Sequence, residues 1–208
     1  MDYRWEAGLW VAFSLGLYGL GTNYLAPLWA ARRPQKLWAE GLEELALGLY
    51  FLGVPALALL RGAILPRFMG FTHLDWLGGI GPSVQAAFFF ALLLSTITLL
   101  CRRLGSEART NHSALLGLKQ AIYFQTHWAF YRAFAIPLLG LTSGTLAGLV
   151  LSIGELFLSL REKPNPSTIF RLGGLAVATG IIFLYSRNFL YCLAFHWLLQ
   201  ELMVRVKR

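Results

Sequence analysis

Three ionisable side chains stand inside runs otherwise apolar enough to cross a membrane: His127 in QTHWAFYRAF, Glu155 in LSIGELFLSL and His196 in YCLAFHWLLQ. A charged group deep in a hydrocarbon layer costs about 2.5–3.5 kcal/mol on insertion scales, so each needs a partner or a task. Two imidazoles and one carboxylate are the parts from which proton transfer to and from a water is built. Gln200 follows His196 by four residues and so shares its helical face, offering an amide to whatever the imidazole binds. Counted at about 1.5 Å per residue, the three groups lie about 8–13 Å inside the expected cytoplasmic helix ends. They are expected to meet in the cytoplasmic half. The plainer reading is a set of buried hydrogen bonds that only holds the helices together.

The helices that must carry these groups follow from composition. The 208 residues are 57% hydrophobic and 13% charged, about half the charge of a soluble domain, and the mean hydropathy is +0.58. These values exclude an ordinary soluble domain and predict an all-α, polytopic transmembrane bundle of about seven helices. A single integral membrane domain is expected over 1–208. The formal charge of +8 would suggest nucleic acid in a soluble chain. Here the basic residues cluster between apolar runs, as membrane topology requires, and the partner expected is the lipid bilayer, with no nucleic acid. Cys101 and Cys192 sit in apolar stretches without a CxxC or Cys/His cluster, so they read as packing residues.

The expected spans run over about 9–31, 45–60, 84–101, 114–139, 141–160, 168–185 and 188–206. The N-terminal stretch has Asp2, Arg4 and Glu6 in place of a basic n-region, so the first run reads as a retained anchor. Pro55 is expected to kink the second span. Residues 62–83, rich in Pro, Gly and aromatics, read as an interfacial loop or half-helix with His73 and Trp76 at headgroup level. Lys119, Gln120, Gln125, Thr126, His127 and Arg132 make the fourth helix too polar to face lipid all round. Gly140, Gly144 and Gly148 form a small-residue stripe, for close packing within the bundle or between chains. Glu43-Glu44 reads as a solvated helix entrance.

Alternating spans place eleven Lys and Arg of the connecting segments on one side and four on the other. The excess predicts a cytoplasmic C-terminus in a plasma (inner) membrane, with a second span short enough to be re-entrant.

Over residues 113–204 the polar pattern resembles the CPBP intramembrane proteases, which include the type II CAAX prenyl endopeptidases. That family shows Glu-Glu-x-x-x-Arg on one helix, Phe-x-x-x-His on the next and His-x-x-x-Asn on the last. In this chain His196 matches the last histidine and Gln200 stands for the asparagine. Arg132 matches the motif arginine, with His127 and Trp128 in place of the two glutamates. Leu151 and Glu155 stand for the phenylalanine and histidine of the second motif. The resemblance implies a swapped site that keeps two imidazoles and one carboxylate. It implies peptide hydrolysis with Glu155 as base for a water, His127 and His196 orienting it, and Gln200 donating to the oxyanion. Trp128, four residues before Arg132, is placed to offer the guanidinium a cation–π face.

No cofactor is expected. Two histidines and a carboxylate suit zinc, yet no HExxH or similar spacing is present. Two other classes stand beside the peptidase: a catalytically inactive scaffold or partner-binding homologue, supported by the missing glutamate pair, and a small transporter or haem or quinone carrier, supported only by histidines on different helices. His112 reads as a solvated loop residue, and Arg171 as able to snorkel from its helix end.

Overall fold

The computed structural model describes residues 3–25, 36–72, 76–103, 114–158 and 166–207. His73 and His112 lie outside these residues, as do residues 26–31 of the first expected span. The fold is an all-α helical bundle. Helix α1 (Tyr3–Leu20) continues through a π-helical turn (Gly21–Leu25); α2 (Lys36–Gly48) passes through a second π turn (Leu49–Gly53) into α3 (Val54–Leu60). The short α4 (Pro66–Met69) precedes α5 (Ile80–Arg103), α6 (Ala114–Leu139), α7 (Leu141–Phe157), α8 (Pro166–Ser186) and α9 (Phe189–Lys207). The order is the expected one. The second helix starts nine residues before the expected Leu45, because the charged KLWAEGLEE stretch is already helical.

Among the described residues, Gly41–Leu60, Ile80–Leu100 and Ile169–Ser186 are long and apolar enough to cross a membrane. Their outward faces carry large apolar side chains such as Leu57, Phe88, Phe89 and Phe170, a surface that associates with lipid or protein rather than water.

Helix α6 is the centre of the bundle. It packs against α7 and α9, against α4, α1 and the second π turn, and most of its residues from Gln125 to Ile136 are buried. That enclosure explains how one helix can carry Gln125, His127 and Arg132: none of them faces the outside. The α6–α7 connection is a single residue, Gly140, at φ 82°, a conformation that costs a side chain and suits glycine. The chain then returns antiparallel. A Cβ on Gly144 would lie 2.4 Å from Ile136 Cα, and one on Gly148 2.9 Å from Arg132 Cα. The glycine stripe therefore serves packing within the bundle, and its four-residue steps set the register of α7 on α6.

Residues 61–72 are more than an interfacial loop. Ala63, Ile64 and Met69 are buried, the latter two in a core with Phe130, Tyr131 and Ala133. Gly70, at φ 89°, accepts a hydrogen bond from Phe189 N–H at 2.9 Å. This ties the segment to the turn between α8 and α9. Asn188 Oδ1 caps α9 by accepting from Leu190 N–H at 2.9 Å. Trp76 is exposed, and its carbonyl accepts from the Tyr191 hydroxyl.

Candidate functional site

Helix phase brings three elements onto His127. On α1 the exposed stripe of Leu9, Phe13, Leu17 and Leu20 leaves Ala7, Val11 and Ser14 on the buried side. On α7 the face that carries Gly148 also carries Ser152 and Glu155, all facing α6. The second π turn supplies Tyr50 and Phe51. Pro55 explains part of that turn: it has no N–H for the carbonyl four residues back, that of Phe51. Val54 N–H reaches back five residues to Leu49, and the Phe51 carbonyl lies beside the His127 ring. The expected Pro55 kink is thus a π turn, a feature common at functional sites.

The resulting cluster is compact. His127 Nε2 lies 3.7 Å from Glu155 Oε2, 3.1 Å from Ser14 Oγ and 3.2 Å from the Tyr131 hydroxyl. The Tyr50 hydroxyl donates to Glu155 Oε1 at 2.5 Å, and Ser14 Oγ lies 3.4 Å from Tyr50. His127, Ser14 and Tyr131 are sealed, while Glu155 keeps 5% of its surface open. The imidazole is wedged between the rings of Tyr50 and Tyr131, at centroid distances of 4.6 and 4.9 Å. One nitrogen therefore faces a carboxylate and two hydroxyls, an arrangement through which a proton can pass from ring to carboxylate or phenol.

His196 belongs to a second cluster. Its Nδ1 accepts from the Gln125 amide at 2.8 Å, and the same amide donates to Thr179 Oγ1 at 3.0 Å. Trp128 stacks on the imidazole at 5.2 Å, with Phe124 at 6.3 Å. Gln200 spends its N–H on Gln120 Oε1, at 2.8 Å. His127 and Gln125 are two residues apart on α6, about 200° around the helix, so the clusters occupy opposite sides of it. The expected convergence of four side chains is replaced by two pairs: Glu155 with His127, and His196 with the glutamines. The reason is angular, since depth along the helices is similar but α7 and α9 dock on different faces of α6.

Arg132 also departs from expectation. Its guanidinium lies over the Phe183 ring, 4.5 Å from the centroid, while Trp128 turns to His196. The side chain is only 3% exposed, and its Nε and Nη2 have no hydrogen-bond partner among the described residues. Glu43 and Glu44 are exposed, as a solvated entrance should be, and Glu44 pairs with Lys119 at the start of α6.

The sequence reading missed Ser14, Tyr50 and Tyr131. Tyr131 had a usable signal, its four-residue spacing from His127. Tyr50 and Ser14 had none, because a tyrosine or serine in an apolar run reads as ordinary packing. Among the described residues no three His, Cys, Asp or Glu side chains gather as a metal site. Cys192 is buried as a packing residue, its thiol directed at the Thr179 carbonyl at 3.4 Å. Compared with known proteins, the chain matches no family model, no curated protein and no solved structure.

Proposed function

We propose that this chain is an integral membrane protein of the CPBP type and a divergent endopeptidase, hydrolysing a peptide bond with a water activated by Glu155 and His127. The observation that carries the reading is the Glu155–His127 contact at 3.7 Å, buried at the heart of the bundle and ringed by hydroxyls. Glu155 takes the proton of the attacking water, and His127 relays it to the leaving amine. The Tyr50 and Tyr131 hydroxyls donate to the developing oxyanion. They replace Gln200 in that role, since Gln200 lies with Gln120 and His196 on the other side of α6; Tyr50 must first release Glu155 Oε1 to do so. His196 acts at a distance, holding Gln125 and Trp128 and so the rotation of α6. No cofactor is invoked. The substrate class is a peptide or protein segment entering from the cytoplasmic side of the inner membrane, where the excess of basic residues puts the Glu155 end of α7.

The test is cleavage of quenched fluorescent peptides by the full chain in lipid nanodiscs. Glu155→Gln is expected to lower the rate by about 10²–10⁴, the usual worth of a general base, with Arg61→Ala unchanged. Full activity in Glu155→Gln overturns the assignment.

A second reading is a partner-binding homologue without chemistry. It is favoured by Tyr50, whose hydroxyl occupies a Glu155 oxygen that a water would need, and by the separation of His196 from the Glu155 pair. On that reading His127→Leu/Glu155→Leu keeps fold and partner. Loss of cleavage in a folded double variant decides for the peptidase.

A further inference from the structure

We propose that Arg132 holds a small monovalent anion, of the size of chloride, in a cavity between α6, α7 and α8, and that this anion supplies the counter-charge its buried guanidinium needs. The site is independent of the peptidase reading. A buried guanidinium is stable only with a counter-charge or a full set of acceptors, and among the described residues Arg132 has neither within hydrogen-bond reach for Nε and Nη2. The Phe183 face answers charge but leaves Nε and Nη2 without an acceptor among the described residues. Beside it lies a cavity lined by Trp128, Arg132, Thr145, Gly148, Ser152 and Gly180, among others. The cavity is small, with room for a single particle on the scale of a water or a halide and too little for a phosphate or lipid headgroup.

The walls favour an anion over a cation. Among the described residues lining the cavity the one ionic group is the guanidinium, a cation with N–H donors to give; the Thr145 and Ser152 hydroxyls spend their protons on the carbonyls of Leu141 and Gly148, at 2.7 and 2.8 Å, so the anion is held by Arg132 alone. Glycines at 148 and 180 keep the space open, since a Cβ at Gly148 would fall 2.8 Å from Arg132 Cγ. Trp128 stands one turn before Arg132, at the i−4 position from which a carboxylate would reach the guanidinium. The indole supplies no charge there and turns to His196 instead.

The experiment is thermal unfolding of the full chain in detergent, with sodium chloride exchanged for sodium gluconate at constant ionic strength. An ion bound only by the folded state raises the midpoint with a saturable dependence, and a rise of several degrees is expected for chloride and bromide. Arg132→Met is expected to lose the halide dependence. Trp128→Glu places a carboxylate one turn from Arg132 and is expected to fold with a halide-independent midpoint. A wild-type midpoint that ignores halide overturns the proposal, as does an undiminished halide shift in either folded variant.

Discussion

At the level of single residues, Tyr50 separates the two jobs that the Glu155 cluster could have. Its hydroxyl donates to Glu155 Oε1 at 2.5 Å and its ring packs on His127 at 4.6 Å. Removing only the hydroxyl, in Tyr50→Phe, leaves a buried carboxylate oxygen short of a donor. That costs about 1–3 kcal/mol, read as a lower unfolding midpoint in detergent. If the same hydroxyl stabilises an oxyanion, the variant also loses about 10²–10³ in turnover. A lowered midpoint with turnover unchanged would leave Tyr50 a purely structural donor and return the oxyanion role to Tyr131. Glu155 and His127 were legible in the sequence because ionisable groups in apolar runs stand out. Tyr50 and Ser14 were not, because their meaning depends on which face of α1 and of the π turn is buried, and that is decided by neighbours far along the chain.

Among the elements, the α6–α7 hairpin fixes the site, and glycine fixes the hairpin. Gly144 lies on Ile136 and Gly148 on Arg132, so continuing the antiparallel register carries Glu155 down to the level of His127. Gly148→Ala would thrust a methyl group to 2.9 Å from the Arg132 backbone, an overpacking that costs about 1–3 kcal/mol. Gly154 lies on the same helix with nothing among the described residues within 4 Å of its Cβ position. Gly154→Ala should therefore gain up to about 1 kcal/mol from helix propensity alone. Paired unfolding measurements on the two variants check the register: equal effects would mean that the stripe does not hold α7 on α6. The stripe was legible as a packing motif, but its partner was not, since small-residue spacing is the same for a contact within or between chains. Gly70 makes the complementary point. Its Cβ would meet Phe189 N at 2.8 Å from a positive-φ backbone, so Gly70→Ala should release the 61–72 segment from the α8–α9 turn. That release is readable as faster amide exchange at Phe189.

Over the whole molecule, long-range contacts sort the helix ends into two groups. Asn23, in the first π turn, donates to the Leu158 carbonyl at the end of α7 at 2.9 Å, satisfying one of the carbonyls a helix end leaves free. Glu44 meets Lys119, and Gln120 meets Gln200, so the end of α1, the start of α6 and the latter part of α9 lie together. At the opposite end Gly70 meets Phe189 and Trp76 meets Tyr191. The first group flanks the segments that hold eleven of the connecting basic residues, and the second flanks those that hold four. This two-ended order was legible in the sequence because apolar runs alternate with charge clusters regardless of packing. The angular placement of α9 around α6 was not, because it depends on which side chains interdigitate. If the basic end is cytoplasmic, a membrane-impermeant maleimide should label Leu77→Cys, whose parent side chain is 88% exposed, in intact cells. Arg205→Cys, exposed on the last turns of α9, should react only after permeabilisation; Cys192 is sealed, and Cys101 is replaced by Ser to leave the introduced thiol as the reporter. The inverse pattern would turn the bundle over, put the Glu155 end of α7 outside, and require any substrate of the site to arrive from that side.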